Sequence, residues 1–524
     1  MLAVIFSLLL LAYDEWYFTG RYIQFLRNIT VQGTFFSLTR SYVLLTLLFC
    51  AQVLFSWAVF VVRPWWKLPF GFLFVYSAFA QAGYWNAFNR FITVQDVLTA
   101  YYSPAGLWRD AIGMFFSWYA FIPTLLFLFF IWLTWNGHEG GRVIALTTAV
   151  LLTLFATLSW AGVRHTPASA NIRFLNTMAE TGWGGFSAPQ QFERPTLTYQ
   201  APNPPPNNII LVIDESIRGD HLSINGYERP TTPTLDQLAQ YGALYNWGIA
   251  AASATCSLQT NHVILNGVPH LPDTDYHVYQ NATIFQYAKA MGYRTYHFDA
   301  QADYLWNGIT FSDLVYVDER MTPQTLGSDV DTDLQAAELI HDIIHTSTGN
   351  FIIINKKGVH FPYFRAYPAE ATLWEPIVDN LAYNDYTLLS NTYDNGLRYT
   401  VDGFFSRLIP NPAELAATII YTADHGQTLS QNGEHWAHCR GSLNEAIVPL
   451  FILSPQPLAV DTSYPASHFN IFPTLLDLMG VPPAIRPTPL PLSLLEATAA
   501  DTAPRFYLPA DRDFFTGEPV PFDP

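Results

Sequence analysis

Four long runs without a single Asp, Glu, Lys or Arg occupy the N-terminal part of this chain: Tyr42 to Val62, Leu68 to Phe88, Ile112 to Trp135 and Val143 to Val163. Each has the roughly 20 apolar residues that a helix needs to cross a bilayer, and a backbone placed in hydrocarbon must satisfy its own hydrogen bonds. A shorter stretch, MLAVIFSLLLLAY, breaks off at Asp14 and has no basic leader, so it reads as a fifth, short span rather than a cleaved signal peptide. Residues 1–163 are therefore expected to form an α-helical membrane bundle of about five spans. Five spans place the C-terminal region on the side opposite the N-terminus, which in a bacterial inner membrane is the periplasm. Basic residues do not settle the orientation, since Arg63, Lys67 and Arg142 fall on one side and Arg21, Arg27, Arg40, Arg90 and Arg109 on the other.

The apolar excess ends near residue 165. Over all 524 residues the chain is 50% hydrophobic and 13% charged, too apolar for an ordinary soluble enzyme and too mixed to be only a bundle. The net charge of -17 excludes nucleic acid as an expected partner. Cys50 lies in a span, which leaves Cys256 and Cys439 and hence no disulfide framework. Residues 164–207 turn polar and proline-rich, ending in APNPPPNN, and read as a stiff connector. Beyond it, short apolar runs (NIILVID, YRTYHFD, NFIIIN, ATIIYTAD, VPLFIL) alternate with helical patterns. That alternation predicts, over 208–524, an α/β sandwich with a mostly parallel sheet covered on both faces.

Ligands bind beyond the carboxyl ends of such strands. Three of those ends carry ligand-type residues: Asp214 and Glu215 after NIILVID, His360 after FIIINKKGV, and Asp424 and His425 after TIIYTA. Each alone reads as a loop or cap residue. Together they could converge on one divalent ion, with zinc favoured by the mixed nitrogen and oxygen donors. A reactive partner is available in AASATCSLQTNH, where Ser253, Thr255, Cys256, Ser257 and Thr260 are candidate nucleophiles; spacing does not choose among them. Lys356 and Lys357 read as a solvated loop, with phosphate or glycan steering the alternative. Arg218 and Asn225 are expected to fix the turn after the first strand, and Asp394 and Asn395 to cap or orient a helix.

The ordered motifs NNIILVIDESIRGDHLSINGYERPTTPTLDQLA, SATCS, GVHFPYFRAYP, NTYDNGL, TADHGQTLSQNGEHWAH, EAIVPLFI and SHFNIFPTLLDLMGV resemble the phosphoethanolamine transferases of the alkaline phosphatase/sulfatase superfamily. These enzymes decorate lipid A and lipopolysaccharide core and include the mobile colistin-resistance proteins. The resemblance implies that Glu215, Thr255, Asp424 and His425 hold zinc and that Thr255 is the nucleophile. It gives His360 and His438 the phosphate, or a second zinc, together with proton transfer; His435 is the rival of His438, because NGEHWAH is one residue longer than the family pattern. Asp96 and Lys357 are its candidate substrate contacts.

The implied reaction moves phosphoethanolamine from phosphatidylethanolamine, through a phospho-threonine, to a lipopolysaccharide or other envelope glycan, carried out by a monomer anchored in the inner membrane. Two departures leave the acceptor open. The family's several disulfides reduce here to one available pair, Cys256 and Cys439, each beside an implied site residue. In the loop NRFITVQDVLTAYYSP, Asp96 stands where the family commonly has asparagine, and no glutamate comes after it at the expected offset. The rival readings are a phosphoglycerol transferase resembling lipoteichoic acid synthases, or a phosphodiesterase or sulfatase-type hydrolase, although the sulfatase pattern C-x-P-x-R is missing from CSLQT. A non-catalytic membrane scaffold is a third.

Overall fold

The structure, a computed structural model, describes residues 1–18, 22, 35–88, 91–92, 116–137, 169–180, 194–203, 205–267, 281–302, 307–309, 313–327, 330–379, 385–431, 434, 436–509 and 518–524. The chain divides into two compact units, Met1–Ala188 and Pro189–Pro524.

The first unit is helical: α1 (Leu2–Tyr17), α2 (Phe35–Val61), α3 (Pro64–Phe88), α4 (Phe121–Leu133) and α5 (Ala170–Glu180). Its core forms around Phe6 of α1, whose ring meets Phe60, Phe74, Phe127 and Phe130 at centroid distances of 5.3 to 5.9 Å. Asp14 does not end α1. Its buried carboxylate accepts the Ala170 N–H at 3.0 Å, where an anion favours the start of α5. Thus α5, inside the stretch read as a connector, is a packed helix. Asn171 accepts from Ser77 Oγ at 2.7 Å, and Phe174 meets Tyr76 of α3 edge-on. Lys67 is likewise buried and donates to the carbonyls of Phe60 and Thr134.

Among the described residues, no helix is long and apolar enough to cross a membrane. α1 and α4 have 16 and 13 residues. α3 mixes Lys67, Gln81 and Asn86 with half-polar Trp and Tyr rings, and the side chains of α2 are described without a break only from Leu45. The run Val143 to Val163 and the start of Ile112 to Trp135 lie outside the described residues. The outer faces of these helices nevertheless expose large apolar side chains, among them Leu8, Leu9, Trp57, Phe72, Phe129 and Trp132.

The second unit is built on a sheet of seven described strands: β1 (Asn208–Asp214), β2 (Leu244–Ala251), β3 (Arg294–Asp299), β4 (Glu319–Met321), β5 (Asn350–Asn355), β6 (Ala417–Ala423) and β7 (Ile447–Leu453). Their order is β2-β7-β6-β1-β5-β3-β4, and β7 alone runs against the rest. The mostly parallel sheet is as expected. β1, β5, β6 and β7 are buried at every position because helices cover the sheet: α6 (Pro233–Tyr241), α7 (Ser257–Asn266), α8 (Ile284–Ala290), α9 (Thr332–Thr346), α10 (Tyr386–Leu397), α11 (Gly403–Leu408) and α12 (Ile471–Leu478).

Candidate metal centre

β1 and β6 pair in parallel with Asp214 opposite Ala423, so the next residues, Glu215 and Asp424, leave the sheet side by side. Asp214 itself turns to the other face. Its carboxylate pairs with the Lys356 ammonium, accepts the Tyr421 hydroxyl at 2.9 Å and takes the Glu215 N–H at 3.0 Å. Burial pushes the Asp214 carboxyl up to about 6, against the opposing pull of Lys356. Lys356 is therefore not in a solvated loop. Its N–H continues the ladder to the Ile213 carbonyl at 2.9 Å, and its wholly buried side chain reaches Asp214, the Thr400 carbonyl and the face of Phe404. An ammonium flanked by apolar strands is driven to such a pair because an unpaired buried charge is far costlier.

Glu215, Asp424 and His425 offer ligand atoms that all lie within 4.8 Å of one another, and Glu215, His360 and His438 form a second such group. His425 Nε2 is 3.5 Å from Glu215 Oε1 and 3.5 Å from Asp424 Oδ2. His425 Nδ1 lies 2.8 Å from the Gly426 carbonyl, His360 Nδ1 2.7 Å from the Phe361 carbonyl and His438 Nδ1 3.1 Å from Gln427 Oε1. These acceptors claim the Nδ1 proton and leave each Nε2 lone pair for a ligand, the usual outer-partner arrangement at metal sites. The His438 ring stands 4.3 Å from His425 and 5.2 Å from His360, centroid to centroid.

Asp424 Oδ1 accepts the N–H groups of Ser216 and His425 at 3.1 and 2.7 Å, while Oδ2 is buried without a hydrogen-bond partner among the described residues. Burial, and next to it the charge of Asp424, holds the Glu215 carboxyl well above the usual range. Two crowded carboxylates, one with an unsatisfied oxygen, form an arrangement that a cation would relieve. The oxygen and imidazole donors fit zinc. The turn that carries Glu215 is fixed firmly. Ser216 has a φ of 62°, a left-handed conformation unusual for serine, and its hydroxyl, N–H and carbonyl are engaged by Glu215, Asp424 and Tyr393.

The candidate nucleophiles separate. Cys256 is joined to Cys439 by a disulfide with Cα atoms 4.9 Å apart, fastening the start of α7 to the loop that bears His438. Thr260 Oγ1 donates to the Ala254 carbonyl. Thr255 is fully buried, its N–H on the Leu508 carbonyl at 3.3 Å and its carbonyl on the Cys439 N–H at 3.0 Å. Ser257 Oγ lies 3.2 Å from His425 Nε2 and 3.4 Å from Glu215 Oε2.

His435 and Asp96 lie outside the described residues. Half-buried Lys357 has its N–H on Asp333, and its charge acts on His360. Arg218 and Asn225 do brace the turn after β1, through Asp220, the Gln427 carbonyl and the Gly219 carbonyl. Asp394 caps nothing, since Asp385 caps α10; it is a buried acceptor for His221, Tyr227 and Arg229, and Asn395 holds the N–H groups of Leu373 and Trp374. Sequence reasoning missed Gln301, which donates to Glu215 Oε2 at 3.2 Å. It lies just past the end of β3, where the strand-end rule would have found it.

Residues 207–481 match the family model described as Sulfatase. The chain belongs to the sulfatase family. Within that family it is 29% identical over 275 residues to the Kdo(2)-lipid A phosphoethanolamine 7''-transferase of Escherichia coli K12, covering 51% of this chain and 47% of that one. It is 26% identical over 302 residues to the phosphatidylethanolamine transferase Mcr-1 of Escherichia coli, covering 53% and 54%. The chain thus spans about half the length of the curated relatives it matches. Among solved structures, the integral membrane protein lipooligosaccharide phosphoethanolamine transferase A of Neisseria meningitidis shares the fold over 91% of this chain and 95% of that one, with a TM-score of 0.57 and 17% identity. The zinc complex of the C-terminal periplasmic domain of Escherichia coli EptC covers 63% of this chain and 97% of its own, with a TM-score of 0.51 and 19% identity.

Proposed function

We propose that this protein is a zinc-dependent phosphoethanolamine transferase that moves phosphoethanolamine from phosphatidylethanolamine to a lipopolysaccharide or other envelope glycan. The observation that carries the reading is the pair of ligand groups sharing Glu215 at the strand ends of a sulfatase-family sheet. Glu215, Asp424 and His425 would hold zinc, together with a hydroxyl that the family resemblance puts at Thr255. Bound there, zinc would neutralise phosphate charge and ease ionisation of that hydroxyl.

The protein's own residues do the rest. The hydroxyl that the resemblance puts at Thr255 gives up its proton and bonds to phosphorus as the bond to the diacylglycerol oxygen breaks, and the acceptor then attacks this phospho-enzyme and frees the hydroxyl oxygen again. His360 and His438, with Nδ1 tied to the Phe361 carbonyl and to Gln427, present Nε2 to bind a phosphate oxygen or to give the leaving oxygen its proton. Asp96 and Lys357 are assigned to the substrate, Lys357 as a positive charge near His360. Exposed apolar side chains on the helices of the first unit support an inner-membrane anchor beside a lipid donor, with the 208–524 region in the periplasm. A disulfide in the second unit supports that oxidising compartment.

The test is diacylglycerol release by the detergent-solubilised protein with zinc. Release from phosphatidylethanolamine that is lost in Asp424→Ala is expected. Release from phosphatidylglycerol alone would make the protein a phosphoglycerol transferase instead.

A further inference from the structure

We propose that Ser257 supplies the hydroxyl donor of the metal site, in the place that family resemblance gives to Thr255. The inference rests on the zinc-dependent reading and corrects one of its residues.

Two ligand residues from two different strand ends converge on this hydroxyl. Ser257 Oγ lies 3.2 Å from His425 Nε2 and 3.4 Å from Glu215 Oε2. Nδ1 of the same imidazole belongs to the Gly426 carbonyl, and Glu215 Oε1 takes the Ser216 hydroxyl, so Ser257 meets the opposite atom of each group; Glu215 Oε2 also accepts from Gln301. With Nε2 unprotonated, the Ser257 O–H donates to it. A cation held by that Nε2 would have the serine oxygen within reach as a further donor.

Accessibility points the same way. Ser257 is only half-buried, so its hydroxyl is partly open to solvent, whereas Thr255 is 0% exposed. Ser257 is also the first residue of the ten-residue helix α7, whose N-terminal dipole favours an ionised oxygen or a phosphate at that spot. Its position is fixed from both sides. The disulfide from Cys256 to Cys439 immediately precedes it, and Asn261 Nδ2 holds its carbonyl at 2.8 Å.

The deciding experiment is zinc affinity of the full-length protein in detergent, read by competition with a chromophoric chelator, so that no turnover is needed. Ser257→Ala is expected to weaken zinc about 10- to 100-fold, the loss typical when a partner of a metal site is removed, and Thr255→Ala to leave it within a few-fold. Ser257→Thr and Ser257→Val have the same shape and differ only in the hydroxyl. The threonine variant is expected to bind like wild type and the valine variant like alanine, which separates the hydroxyl from any general loss of folding. Equal affinities for the threonine and valine variants, or weakening by Thr255→Ala alone, overturn the proposal and leave the zinc reading intact. A wild-type protein that binds no zinc overturns both.

Discussion

Asp424 Oδ2 is a buried carboxylate oxygen with no hydrogen-bond partner among the described residues, so Asp424→Asn removes both a charge and a ligand oxygen. Zinc affinity is expected to fall by at least about 100-fold, beyond the loss typical of an outer partner, as measured by chelator competition. Buried titrating residues that are not themselves ligands set a pH dependence. Burial raises Asp214 and Asp299 to about 6 and Glu445 to about 8, while it lowers His262 and His297 to about 4 and His468 to about 3. A raised carboxyl gives stability that is full below its unfolded value and lost as pH rises through the folded one; a lowered histidine does the reverse. From about pH 4.5 to 6 the three carboxyls and three histidines nearly cancel. From about pH 6.5 to 8 Glu445 acts alone among them, and zinc-loaded protein is expected to lose about 2 kcal/mol, at roughly 1.4 kcal/mol per unit. Denaturant midpoints at the two pH values check this, and Glu445→Gln should abolish the slope. At this scale the strand-end rule found Glu215, Asp424, His425 and His360 because parallel sheets put chemistry there. It could not tell that Lys356, one residue past β5, still points into the core, nor that Ser257 lies against Glu215 and His425, since helix onset is not set by hydroxyl spacing.

The turns after the strands hold the centre together. Gly358 has a φ of 55°, and a Cβ there would lie 2.4 Å from the Glu215 carbonyl and 2.6 Å from Asp214 Oδ1. Gly358→Ala therefore costs about 1–2 kcal/mol for the left-handed backbone alone and displaces the turn that carries Glu215. Both the denaturant midpoint and zinc affinity are expected to drop, whereas unchanged zinc binding would show that the Glu215 turn tolerates the shift. In the helical unit, Asp14→Ala leaves the Ala170 N–H without its acceptor and is expected to cost about 1–2 kcal/mol, in the range of a lost helix cap, seen as a lower melting temperature in detergent. Four of the five apolar runs of the sheet were legible because apolar, largely β-branched residues fill strands buried at every position, β1, β5, β6 and β7. β4, a three-residue edge strand, carries too little pattern to be read. α5 was hidden by its polar and proline-rich flanks, and Asp14 looked like a helix breaker because the helix it serves lies 156 residues away.

As a whole the molecule joins a sheet whose class was plain from its alternating pattern to a helical unit whose outer faces are apolar. Exposed Trp57, Phe72, Phe129 and Trp132 cost free energy in water and none in lipid. The protein is accordingly expected to stay in the membrane pellet through an alkaline carbonate wash and to leave it only in detergent; recovery in the supernatant would refute the anchor. The acceptor was not legible, because specificity for a glycan lies in loops rather than in the periodicity that marks a fold. The most direct measurement is the intact mass of the protein after incubation with phosphatidylethanolamine and zinc without an acceptor. A phosphoethanolamine-sized adduct, mapping to the Thr255–Ser257 peptide and absent from Asp424→Ala, is predicted. Zinc-loaded protein that gains no such mass from phosphatidylethanolamine would contradict the transferase reading.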